Sequence, residues 1–248
     1  MWARKFIISF IVFIAGSTYG RVLSLDLAAD QWVLGLCAKE NIHAVSYLAQ
    51  MPQFSFLHQK AQNIPTHRGN IEDFLDPNIT LIIGYRPISP LHEKLFKKTR
   101  ARVILLEAPT SIQALKEQIE YLTRVFNQPQ KRTAWLQKIK CIQKKKRSKI
   151  LLFTGHRHAP GQKTLFGELL TKMGYEMPPY LGWQYLSLEK ILVYGPQYIF
   201  YTEPQPNTPF WKTMAKKTHF HQIQQSTTLT PYPDALFALM TQIEKATQ

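Results

Sequence analysis

Residues 21–47 read RVLSLDLAADQWVLGLCAKENIHAVSY, and this stretch decides the fold. An apolar run over 21–25 has the length and composition of a short buried strand. Residues 28–36 (AADQWVLGL) follow as a helix with Asp26 placed to cap it, and 42–47 (IHAVSY) reads as a second strand. Strand, helix, strand in under thirty residues is the βαβ unit, which demands a parallel sheet covered by helices.

The pattern continues outward from there. Residues 50–65 form a longer irregular stretch, and 70–75 (NIEDFL) carries one or two helical turns. Residues 81–84 (LIIG) predict a strand, 91–99 a helix, 102–107 (RVILLE) another strand and 111–126 a helix. That last helix has Ile112, Leu115, Ile119, Leu122 and Val125 on one face. The chain pauses at Asn127-Gln128-Pro129 and resumes as a basic helix over 130–146. The alternation then restarts: strands over 149–155 (KILLFTG) and 198–202 (YIFYT), helices over 163–175, 187–194 and 233–246. The expected fold is α/β: two Rossmann-like lobes, 21–127 and 148–248, joined by a single long linking helix over 128–147.

Composition supports a globular chain of 248 residues, with 45% apolar and 19% charged residues. Lys and Arg number 31 against 16 Asp and Glu, a net +15 that points to an anionic partner: nucleic acid, a membrane surface or a charged ligand. Arg4 and Lys5 carry two of those positives, which leaves +13 on the rest. They precede an apolar run over 6–15 and small residues at Ala15, Gly16, Ser17, Thr18 and Gly20. This is the layout of a signal peptide over 1–20, cut after Ser17 or Gly20. No cysteine lies near the cut, so the mature protein is expected to be exported and not a lipoprotein. Two cysteines, Cys37 and Cys141, exclude a disulfide-dense scaffold, and whether they pair is left open by the sequence.

Motifs for chemistry fail on spacing. GHRHAPGQKT (155–164) follows a strand and opens a helix as a phosphate-binding loop does, but five residues separate its glycines and Gln162 displaces Lys163. His156 and His158, like His219 and His221, are two apart and lack the third ligand a zinc site wants. An exported metal-dependent enzyme built on the His156/His158 loop is nevertheless the alternative of a different class. The basic run from Lys138 to Lys149 lacks interleaved aromatics and reads as a solvated helix face, with no nucleic acid expected as partner. More informative are the loops after strands, where open α/β sheets bind ligands. They offer Tyr47, His67-Arg68, Tyr85-Arg86, His156-Arg157-His158 and Trp183, aromatic rings beside guanidinium groups.

The chain resembles periplasmic substrate-binding proteins of ATP-binding-cassette importers for iron–siderophores, haem and cobalamin. RVLSLDLAAD (21–30) with LGL (34–36) is similar to the family's opening strand and helix, and NIEDFL leading to LIIG to its next element. TLFGELL (164–170) with Gly174, and LSLEKIL (186–192) with Pro196 and Ile199, resemble two elements of its second half. Ile79-Thr80 and Gln197 depart from the family's pattern at two strand entries. The resemblance implies two lobes on one rigid helix, ligand held between them, no chemistry on the ligand and a monomer. It also implies one surface glutamate per lobe, Glu72 and Glu189, docking on arginines of an inner-membrane permease. For cobalamin, Tyr85, Trp183 and His67 match ring positions; for anionic siderophores, Arg68, Arg86 and Arg157 are available; for haem, His67 or Tyr85 is an axial candidate. The net charge favours an anionic chelate, with cobalamin close behind. No cofactor and no metal held by the protein itself is expected.

Overall fold

The computed structural model describes residues 20–142, 148–155, 157–203 and 208–248. The first half is built from β1 (Val22–Ser24), α1 (Leu27–Leu36), β2 (Ile42–Ser46), α2 (His58–Ala61), β3 (Thr66–His67), β4 (Leu81–Tyr85), α3 (Pro90–Phe96) and β5 (Arg102–Leu106). Its five strands are all parallel, in the order β3-β2-β1-β4-β5. β1 and β4, the innermost, are also the most apolar, with Val22, Leu23, Leu81, Ile82 and Ile83 fully buried. Strands covered on both faces read as continuous apolar runs, as these do. Asp26 caps α1, accepting from the amides of Ala28 and Ala29 at 3.0 Å, and Ser89 caps α3 ahead of Pro90.

Two helices run between β5 and the second sheet: α4 (Ile112–Val125), capped by Ser111, and α5 (Pro129–Lys140). The break between them lies at Asn127, whose φ of 51° is left-handed, followed by Pro129 at the first turn of α5. The linking helix expected over 128–147 is therefore the shorter α5, ending at Lys140, and it shares the crossing with α4. Of the basic run, Lys138 and Lys140 fall in its last turn; residues 143–147 lie outside the described residues.

The second half comprises β6 (Ile150–Phe153), β7 (His158–Pro160), α6 (Leu165–Lys172), β8 (Trp183–Tyr185), α7 (Leu188–Tyr194), β9 (Tyr198–Tyr201), α8 (Pro209–Met214), β10 (His219–Gln222) and α9 (Pro233–Ala246). Strands β10-β9-β6 form a parallel sheet, and β7 pairs antiparallel with β8, Pro160 opposite Trp183. The ribbon β7–β8, strand β10 and helix α8 have no counterpart in the sequence reading. The loop residues Gly182-Trp183 thus belong partly to a strand.

One buried cluster runs through both halves. Its centre is three rings from three helices or their entrances: Trp32 of α1, Trp135 of α5 and Tyr232 just before α9. They meet edge to face with centroids 5.6–5.9 Å apart. The Trp135 indole donates to Asp234 at 2.8 Å, while Gln128 and Lys131 donate to the carbonyls of Leu36 and Gly35 at the end of α1. Gly35 has no side chain for a reason: a Cβ there would lie 2.2 Å from the Tyr232 hydroxyl. Helix α5 is thus packed against both α1 and the start of α9.

Candidate ligand cleft

The carboxyl ends of the strands carry the loops that face the other half. After β5, Ala108-Pro109-Thr110 leads into α4; between β7 and α6, the chain turns through Lys163-Thr164; after β10, residues 228–231 lead to α9. Together with Leu165, Phe166, Gly182 and Trp183 these residues enclose a cavity of about 350 Å³. Trp183 is 47% exposed and meets the edge of buried Phe166 at 5.7 Å; Leu229 is exposed beside them. Close in sequence to this lining, the two halves are joined by a hydrogen bond. The Ile112 amide, first in α4, donates to Glu168 of α6 at 2.7 Å. A carboxylate on a helix N-terminus is favoured by both hydrogen bonding and the peptide dipoles.

Of the six ligand-site candidates, Trp183 lines this cavity. The three arginines do not. Arg68 is exposed at the end of β3 with its guanidinium 5.8 Å from the Tyr47 ring. Arg86, exposed just beyond β4, lies 3.6 Å from Glu93 and 3.7 Å from Glu107. Arg157, in the turn after β6, stacks 4.6 Å over Tyr185 and donates to its hydroxyl. Tyr85 and His67 turn inward. The Tyr85 hydroxyl accepts from the Trp32 indole at 2.8 Å and donates to Gln118 at 2.9 Å, and burial raises its phenol above the ordinary range. His67 is 4% exposed. Its Nδ1 accepts from the Gly69 amide at 3.2 Å, so Nε2 carries the proton and donates to the Ser24 carbonyl at 2.6 Å. Burial lowers its imidazole below the ordinary range. With both nitrogens engaged, His67 offers no lone pair to a ligand in this structure.

His67 belongs instead to a polar layer under the strand ends. Asp30 of α1, fully buried, accepts from the hydroxyls of Ser24 and Ser46 and from the Ser46 amide at 2.9 Å. Burial pushes its carboxyl up to about 7 despite these bonds.

Glu72 and Glu189 are both exposed, one in each half. Glu72 lies in a short 3-10 turn, Ile71–Phe74, held by reciprocal bonds between Asn70 and Asp73. Glu189 opens α7; its own backbone amide, the Ser187 hydroxyl and Arg157 hold its carboxyl below the usual range. It also rims a larger cavity of about 740 Å³ within the second half, between α7 and residues 176–180. His158 is exposed, with its ring 5.8 Å from Tyr185; His156 lies outside the described residues. Among the described residues no three His, Cys, Asp or Glu side chains gather as a metal site would need. Cys37 and Cys141 are free thiols.

The sequence reading weighed Lys163 only in the failed phosphate loop and placed none of Ala108, Pro109, Thr110, Leu165, Phe166 or residues 228–231 at a site. Thr110 follows a strand that was legible, so its loop could have been read. The segment 228–231 follows β10, which gave no signal.

No protein-family model matches the chain, and no curated protein matches it in sequence. Solved structures do. FhuD2 from Staphylococcus aureus, with ferrioxamine B bound, superposes with a TM-score of 0.69 at 21% identity, over 92% of this chain and 99% of its own. The periplasmic haem-binding protein HutB of Vibrio cholerae gives 0.69 at 17%, over 91% and 98%. The periplasmic vitamin B12-binding protein BtuF of Vibrio cholerae gives 0.61 at 18%, over 93% and 98%. Along more than nine-tenths of its length, this chain therefore has the α/β fold of periplasmic solute-binding proteins.

Proposed function

We propose that the protein captures a metal chelate (a ferric siderophore or cobalamin, with haem third) between its two halves and hands it to an inner-membrane permease of an ATP-binding-cassette importer. The observation that carries this reading is the cavity between the halves, walled by Trp183, Phe166 and Leu229, in a fold shared with proteins whose structures bind haem, ferrioxamine and vitamin B12. Its volume is near the lower end of small-molecule sites, ~300–1,000 Å³. A corrin or porphyrin thus enters only with the halves parted, and closing on the ligand covers both its faces. Arg68, Arg86 and Arg157, at or just after strand ends, attract an anionic chelate on approach.

Delivery needs no bond-making. Docking through Glu72 and Glu189 favours the open, low-affinity state, since only differential affinity for the two states moves the equilibrium. The N-terminal 20 residues act as a cleaved leader that sends the chain to the periplasm, where it works as a monomer. No helix among the described residues is long and apolar enough to cross a membrane.

The test is titration of residues 21–248 with ferrioxamine B, haemin and cyanocobalamin, followed by tryptophan fluorescence with inner-filter controls and confirmed by calorimetry. Saturable micromolar or tighter binding of one chelate, weakened about tenfold or more by Trp183→Ala, is expected; a stacked ring contributes about 0.5–1.5 kcal/mol beyond its buried area. Binding of none of the three overturns the reading.

A further inference from the structure

Two six-residue stretches, one in each half, carry the same pattern of side chains in the same local frame. NIEDFL (70–75) and SLEKIL (187–192) both open on the residue ahead of a first helical turn, Asn70 at φ −69°, ψ 150° and Ser187 at φ −67°, ψ 159°. Each leads into the strand that pairs with the first strand of its own half, β4 with β1 and β9 with β6. Glu72 to Leu81 spans the same nine positions as Glu189 to Tyr198. The fold accounts for the cap position and for Phe74 and Ile191, which are buried in the core. It does not account for Leu75 and Leu192, three residues after the glutamates, which are 57% and 53% exposed. A single exposed leucine is ordinary. The same exposed leucine following the same exposed carboxylate in both halves points to one use made twice. On α7 the apolar surface continues into Val193, 88% exposed. Neighbouring positions differ in charge, Asp73 against Lys190 and Asp76 against Val193, so what the two stretches hold in common at their surface is the carboxylate and the leucine.

We propose that Leu75 and Leu192 are the apolar anchors of the permease-docking surface, each seating in an apolar recess of the permease while the carboxylate three residues before it meets a cation at the rim of that recess. The inference rests on the docking through Glu72 and Glu189 proposed above, and it adds the groups that hold the complex once it has formed. Exposed carboxylates steer the encounter and set its salt dependence. Apolar area buried on contact slows dissociation and is insensitive to ionic strength. Burial of one leucine side chain is enough for about a tenfold change in affinity. The partner surface is a recess with apolar walls and a cationic rim, presented twice.

Dissociation kinetics separate the leucines from the glutamates. Residues 21–248 are passed over the permease reconstituted in lipid nanodiscs, at low and at high salt, as wild type and as Leu75→Ser, Leu192→Ser and their double variant. Tyr121→Ser, which removes an exposed ring from α4, is the control for loss of apolar surface in general. Each leucine variant is expected to dissociate about tenfold faster at either salt with its association rate unchanged. The double variant should multiply the two effects, and Leu75→Met and Leu192→Met should keep the slow dissociation. Melting temperatures should match wild type, since both side chains lie outside the core. Unchanged dissociation in either serine variant, or an equal effect of Tyr121→Ser, would overturn the paired anchors. If Glu72→Lys and Glu189→Lys slow association while the leucine variants behave as wild type, the docking reading stands and the anchors fall. If the leucine variants dissociate faster while the glutamate variants associate as wild type, the anchors stand and docking through the carboxylates falls. Absence of wild-type binding removes both.

Discussion

Asp30 is a carboxyl group with three hydrogen-bond donors and no cation among its partners. Donors alone do not compensate for burying a charge, so the proton is held up to about pH 7. The folded protein therefore binds this proton more tightly than the unfolded chain, whose aspartate titrates near 3.8. Stability from this group is fully present below about pH 4 and is lost as pH rises to about 7. That is an interval of roughly three pH units at ~1.4 kcal/mol each, or about 4 kcal/mol at most. The lowered imidazoles of His43, His67 and His221 act with the opposite sign, adding stability as pH rises through the region below 6.5. The contribution of Asp30 is thus read by difference. From pH 5 to pH 8 the urea midpoint of wild type should fall relative to that of Asp30→Asn over the same interval. The same signed change in the two proteins would remove Asp30 from the account.

At the scale of elements, the contact of α1 with the segment entering α9 depends on an absent side chain. Gly35→Ala would press a methyl against the Tyr232 ring and hydroxyl, with atoms 2.2–2.8 Å away. Overpacking of a filled core costs about 1–3 kcal/mol. Urea denaturation should register that loss, and adding Tyr232→Phe should recover part of it by removing the nearest atom. A neutral Gly35→Ala would mean that α1 shifts freely against α9. The sequence made α1, α3, α4, α6, α7 and α9 legible because each carries a cap residue or an N-terminal proline together with an apolar stripe, and the innermost strands because they are unbroken apolar runs. It could not reveal β7, β8 or β10: three or four residues hold no period, and HFHQ at 219–222 is polar at three of its four positions. The loop after β10 therefore stayed hidden, and with it Leu229 and Thr230. Nor does spacing say whether a residue at a strand end faces the cleft or turns under it. Trp183 faces the cleft, whereas His67 and Tyr85 found hydrogen-bond partners beneath and turned inward.

For the whole molecule, the proposed docking through exposed Glu72 and Glu189 would give a permease two points of attachment, one in each half. Glu72→Lys and Glu189→Lys should leave ligand affinity intact while lowering the rate of docking to the permease and changing its salt dependence, as substitutions of exposed interface charges do. Surface plasmon resonance against the reconstituted permease at two ionic strengths would measure both, and unchanged rates would remove these carboxylates from the interface. The ring triad of Trp32, Trp135 and Tyr232 has a consequence of another kind. Because the core passes without interruption from the first half through the link to the last helix, the two lobes share one cooperative unfolding transition. Calorimetry should record a single two-state endotherm. A chain cut at 127/128 should yield neither half as a folded fragment, since each would lose part of the other's interior. The lobes are separate as surfaces for a ligand and inseparable as folding units.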